Sequence, residues 1–152
     1  MITAAIDPSI SNTGHAIIDG ANLIAYGHGP MRTPQAINAL VDVLVAYGPD
    51  VVGIEAGYVS VNAKVGLQLA ELRGALAHVL RSKGMRVEYV QPSAWRAALG
   101  LGVPKAKTPE LKRRAIAWVL GAFGVVATTD EADAICLAAS HVGACSQRTA
   151  VF

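Results

Sequence analysis

The chain has 152 residues, of which 53% are hydrophobic and 16% charged. That length and apolar content suffice for one hydrophobic core and exclude a disordered polypeptide. The net charge of +2 neither identifies nor excludes a polyanionic partner, so the placement of the charges has to decide. The two cysteines, Cys136 and Cys145, lack metal-ligand spacing and suggest buried thiols in a reducing compartment. The first residues form no basic, apolar leader. The longest uncharged run, residues 115–129, is shorter than the ~18 apolar residues a membrane span needs. The expectation is one soluble, cytoplasmic domain over residues 1–152, with no membrane partner and a frayed tail over 144–152.

In chain order, residues 2–6 form an apolar run ending at Asp7, a buried strand closed by the turn signal Asp7-Pro8-Ser9. Residues 13–18 form a second strand, Asp19-Gly20 a hairpin signal, and residues 23–26 a third strand. Thr33-Pro34 opens a helix as cap and first-turn proline, and Gly48-Pro49 stops it. Residues 51–54 form a fourth strand ending at Glu55. Asn62 caps a long helix to about Lys83, with an apolar stripe (Val65, Leu69, Leu72, Leu76, Val79) and a small-residue stripe (Gly66, Ala70, Gly74). A fifth strand over 87–90 and a short helix over 92–99 follow, then a basic loop over 100–107. Thr108-Pro109 repeats the cap-plus-proline start of a helix to about Phe123. Thr128 and Glu131 have capping-box spacing and open a last helix to about Gly143. The order β-β-β-α-β-α-β-α-α-α is that of a mixed sheet with helices on its faces, an α/β domain.

Four of the eleven acids stand where solvated surface charges seldom do. Asp7 and Glu55 each end an uncharged strand, the position at which open α/β sheets place ligands. Asp130 and Asp133, three apart in a first helical turn, share one face. Each alone could be a turn residue or could serve the helix dipole. Together, converging on one point, they would repel one another strongly unless cations neutralised them. Hard oxygen ligands suit Mg²⁺, with Mn²⁺ able to replace it. Two such ions about 3.5–4 Å apart stabilise the attacking and leaving oxygens of a phosphodiester. His15, His28, His78 and His141 show no paired ligand spacing and are expected to be structural or exposed.

At these residues the chain resembles the RuvC-type Holliday junction resolvases. The resemblance rests on Ala5-Ile6-Asp7-Pro8 with Thr13-Gly14, on Gly53-Ile54-Glu55 followed by Tyr58, and on Asp130-Glu131-Ala132-Asp133-Ala134. It spans nearly the whole chain. It implies a ribonuclease-H-like fold with a five-stranded mixed sheet, and a homodimer. It further implies Mg²⁺-dependent two-metal cleavage of four-way junctions or other branched DNA. The catalytic, metal-binding acids then fall on Asp7, Glu55, Asp130 and Asp133. One departure is Ser9, where the family usually has glycine. The compact stretch between Asp7 and Glu55 is similar to phage-type relatives.

Lys105, Lys107, Lys112, Arg113 and Arg114 place five of thirteen cations within ten residues. They form a solvated helix face or a phosphate-binding segment whose affinity falls with salt. The resemblance favours the second reading, with Lys107 as a catalytic lysine, Lys105 next in line, and Arg96 as a further DNA-binding position. Arg73 and Lys64 are weaker candidates. Tyr58 is placed to stack on an unpaired base. Two other functions fit parts of the pattern. Asp7 to Gly14 is similar to the first phosphate loop of actin-like kinases, which need a second lobe. A RuvC-like protein that binds nucleic acid without cutting it would not need all four acids.

Overall fold

A computed structural model describes residues 1–57 and 62–148, with only the backbone course given for 142–148. The elements are β1 (Ile2–Asp7), β2 (Thr13–Asp19), β3 (Asn22–Gly29), α1 (Pro34–Ala46), β4 (Val51–Glu55), α2 (Ala63–Ser82), β5 (Val87–Val90), α3 (Pro92–Ala98), α4 (Thr108–Phe123) and α5 (Thr129–Arg148). Their order is the one read from the sequence. The strands form a single sheet in the order β3-β2-β1-β4-β5. β1 pairs antiparallel with β2 and β2 with β3, whereas β4 runs parallel to both β1 and β5. β1 is therefore the hinge between a meander and a parallel half, and its C-terminal end lies beside that of β4.

Strand periodicity divides the core in two. Ala4 and Ile6 of β1, Ile17 of β2, and Val52 and Ile54 of β4 face α1 and α2, packing on Leu40, Leu44, Leu72, Leu76 and Leu80. Ala5, Ala16 and Ile18 face the other way, toward Trp95, Ala115, Val119 and the run from Ala134 to Ala138. Each large aliphatic side chain so enclosed contributes about 1.5–3 kcal/mol. In α5, every residue from Ala132 to Ala138 is buried. The alanines let that helix lie closely across β1 and β2, its principal sheet neighbours. Asp7 shares the face of Ala5, two residues earlier. Glu55 shares that of Gly53, which is paired with Ala5. Both strand-end acids therefore lie on the α5 side.

Three boundaries differ from expectation. β3 runs to Gly29 because its pairing with β2 continues through Thr13↔Gly29, a tertiary contact without a local signal. Lys107, not Thr108, is the N-cap of α4, and it makes no side-chain capping bond. Proline lacks an N–H that the first turn would leave unpaired anyway, so Pro109 tolerates either of the first positions and does not fix the start. The last helix continues beyond Gly143 to Arg148. The other caps stand as read. Thr33 Oγ1 accepts from Ala36 N at 3.2 Å and Asn62 Oδ1 from Lys64 N at 3.1 Å. Thr128 N donates to Glu131 Oε2 at 2.8 Å, with the reciprocal bond from Glu131 N to Thr128 Oγ1 at 3.4 Å.

Candidate active site

β1 delivers Asp7, β4 delivers Glu55, and the first turns of α5 deliver Asp130 and Asp133. The chain reverses after Asp7 through a loop held by Thr13. Its hydroxyl accepts from Ser9 N at 3.0 Å and donates to the Ser9 carbonyl at 2.5 Å. Ser9 keeps a negative φ, so serine replaces glycine there without strain. Gly14 brings α5 to the strands. A Cβ at this residue would stand 2.0 Å from the Asp130 carbonyl oxygen, closer than any side chain allows. Two polar ties fix the same turn from outside. Asn12 Nδ2 donates to Asp130 Oδ2 at 2.5 Å, and His28 Nδ1 lies 2.8 Å from Glu131 Oε1.

The four acids feel one another. Asp7 is raised well above the ordinary carboxylate range, first by burial and then by repulsion from Glu55, Asp133 and Asp130. Burial, then Glu55, pushes the Asp133 carboxyl up to about 6, and only 5% of that residue is exposed. Burial also raises Glu55, against the lowering effects of a Trp95 hydrogen bond and of Arg96, Arg73 and Lys112. Clustered, partly desolvated carboxylates whose ionisation is penalised are the donor chemistry that a hard divalent cation relieves. In their present rotamers, no three such side chains among the described residues close on one point as a ready ligand set. The fit to a cation thus rests on the donor chemistry and on convergent electrostatics, not on a preformed cage.

Glu55 is held at two points. Trp95 Nε1 donates to its Oε2 at 2.8 Å, and Arg73 Nε donates to its main-chain carbonyl at 3.0 Å. The Arg73 guanidinium fills the space over Gly57, where a Cβ would meet its Nη1 at 2.5 Å. Trp95 is 1% exposed, and the Arg96 guanidinium lies 4.6 Å from its ring centroid. The sequence reading missed Trp95 and Asn12. The signal for Trp95 was an indole in a seven-residue helix otherwise made of small and polar residues.

The expected cations separate into two groups. Lys112 is half-buried, and its charge lowers Asp7, Glu55 and Asp133 alike, while Arg96 lowers Glu55 and Asp133. Lys105, Lys107, Arg113 and Arg114 are exposed. Lys105 takes a left-handed backbone (φ 60°) in the loop before α4, and Arg114 pairs with Glu110 at 3.3 Å. Tyr58 lies outside the described residues. Of the histidines, His28 pairs with Glu131 on the α5 turn, and His141 packs its ring against Gly53.

A five-stranded sheet of this order, with carboxylates at the ends of β1 and β4 and at the start of α5, defines a ribonuclease-H-like resolvase fold. Solved structures share it. Thermus thermophilus RuvC in complex with Holliday junction substrate superposes with a TM-score of 0.80, at 21% identity over 98% of this chain and 97% of that one. The fowlpox virus resolvase with Holliday junction DNA gives 0.67, at 17% identity over 95% and 99%. The profile of the family described as crossover junction endodeoxyribonuclease RuvC matches residues 3–141, and the chain belongs to that family. Among relatives of that description, the Paracidovorax citrulli protein is 31% identical over 91% of this chain and 82% of its own. The Trichlorobacter lovleyi protein is 28% identical over 93% and 85%. The matched span includes all four acids and the basic segment.

Proposed function

We propose that this chain is a divalent-metal-dependent endonuclease that resolves four-way DNA junctions. The observation that carries the proposal is the placement of Asp7 and Glu55 at the C-terminal ends of the neighbouring strands β1 and β4, with Asp130 and Asp133 at the start of α5 beside them, in a chain of the RuvC family. Asp7, Glu55, Asp130 and Asp133 would hold the metal, Mg²⁺ in the first instance and two ions per site, with Mn²⁺ as substitute. When bound, such cations stabilise the charge that develops on the attacking and leaving oxygens of the phosphodiester.

The protein's own groups do the rest. Arg73 anchors the main chain at Glu55, and Asn12 holds one carboxylate oxygen of Asp130. Arg96 and Lys112, beside the acids, and Lys105, Lys107, Arg113 and Arg114, further out, present cations to the phosphate backbone of branched DNA. Lys107 is assigned to the developing phosphate charge. Tyr58, three residues after Glu55, is assigned to stacking on a base at the crossover. A homodimer places two such sites about a two-fold axis, as symmetric cuts require. The exposed start of α2, with Leu67 68% accessible beside Gly66, Ala70 and Gly74, supports a close helix contact there. No described helix is long and apolar enough to cross a membrane.

The test maps cuts on end-labelled four-way junctions, flaps and linear duplexes with and without Mg²⁺. Paired, symmetric, Mg²⁺-dependent nicks in the junction and little cutting of the duplex are expected. Cutting of linear duplex as fast as of junctions, or no cutting of any branched substrate with Mg²⁺ or Mn²⁺, would overturn the proposal.

A further inference from the structure

Glu55 is the one acid of the four whose carboxylate accepts a hydrogen bond from a buried indole. Trp95 Nε1 reaches Oε2 across forty residues of sequence, at 2.8 Å. Indole is donor-only, so Oε2 must accept with a lone pair whatever the protonation of the carboxyl group. The indole cannot swing away, because it is 1% exposed and packed with Ala5, Leu101, Val119 and Leu137 in the core. The Arg96 guanidinium covers its face. A free glutamate has three rotatable bonds, and this one has a single oxygen anchored to a rigid wall.

We infer that Trp95 is a positioning residue for the reaction. By holding Oε2 it presents the other oxygen of Glu55, Oε1, to the cation site. The assignment rests on the metal-site reading above. It explains why a short helix of polar and small residues keeps a tryptophan facing inward. It also links the acid site to α3, whose next residue, Arg96, is assigned to DNA. Groups that orient a metal ligand from behind typically change metal affinity or activity by about 10–100-fold when removed.

Trp95→Phe keeps an aromatic six-membered ring in the core, at the cost of some buried volume, and deletes the donor. In this variant kcat for junction cleavage should fall about 10-fold or more, and the midpoint of Mn²⁺ binding followed by calorimetry should weaken by a similar factor. Junction affinity measured in Ca²⁺ should stay within about twofold, because the phosphate-binding cations are untouched. An independent reading uses the wild-type protein, which has two tryptophans and so two indole N–H signals in ¹⁵N spectra. The Trp95 signal should move on addition of Mg²⁺ and again in Glu55→Gln, while that of Trp118 stays in place. Wild-type kcat and Mn²⁺ affinity in Trp95→Phe would overturn the inference. So would a Trp95 signal indifferent to both Mg²⁺ and Glu55→Gln, which decides the matter alone if the phenylalanine variant does not fold. Failure of the nuclease reading looks different: the Trp95 signal would answer to Glu55→Gln in a protein that cuts no branched DNA.

Discussion

Gly14 has no side chain because the Asp130 carbonyl occupies the place where one would go. That clash is with backbone, at 2.0 Å, so no rotamer relieves it, and accommodating a methyl group means lifting the start of α5 off β2. Gly14→Ala should therefore destabilise the protein by about 1–3 kcal/mol, read from urea denaturation, and should reduce cleavage by displacing Asp130 and Asp133. A variant with wild-type stability and cleavage would show that α5 does not need this approach. Asp133 makes a second residue-scale prediction. Its folded-state carboxyl lies near 6 against an ordinary 3.8. The native state therefore holds its proton longer than the unfolded chain. Stability should be full below about pH 4 and fall as pH rises toward about 6, by about 3 kcal/mol for this group in metal-free protein. Asp133→Asn should flatten that part of the profile and stabilise the metal-free protein at pH 7. A divalent cation should recover stability in the wild type alone. If wild-type stability in EDTA did not fall relative to that of Asp133→Asn over the same interval, the burial and the repulsion from Glu55 that raise Asp133 would be contradicted.

The α3–loop–α4 segment carries both the orienting indole and the cations, and its residues should separate by measurement. Lys107→Ala should lower kcat by about 10²-fold, the scale for losing one donor to transition-state charge, with Kd little changed. Arg113→Ala should weaken junction binding and reduce the slope of log Kd against log salt by about 1, with kcat retained. Lys112→Ala bears on the choice of lysine. Its charge reaches Asp7, Glu55 and Asp133, so a larger kcat loss there than at Lys107 would move the catalytic role to Lys112. Asp7, Glu55, Asp130 and Asp133 could be singled out as candidates in sequence because each ends an apolar run or lies in the opening turns of a helix, both of which are local signals. Trp95 and Asn12 were not, because their bonds to Glu55 and Asp130 span 40 and 118 residues, and nothing local marks such a pairing. The start of α4 was misread by one residue for a related reason. Cap chemistry is a preference, and Lys107 holds the position without a capping bond.

At the scale of the whole molecule, element types and order were readable from periodicity, glycine and proline. The sheet order was not, since the adjacency of β1 and β4 depends on a crossover through α1 that only packing defines. That adjacency makes the site, because it places Asp7 beside Glu55 and leaves α5 to supply the other two acids. A dimer is expected on the same scale. Light scattering should give two chains per particle, and Leu67→Glu should shift it toward one, whereas a stable monomer even on a junction would contradict the symmetric arrangement. The proposed division of labour is that the four carboxylates hold the metal that cuts and the cations bind the junction. It is tested most directly by measuring cleavage and affinity together on one labelled four-way junction for Asp7→Asn, Glu55→Gln, Asp130→Asn and Asp133→Asn. Loss of Mg²⁺-dependent cutting is expected in all four, with junction affinity equal to or tighter than wild type because negative charge has been removed. Near-wild-type cutting by any of the four, or loss of binding in step with loss of cutting, would contradict it.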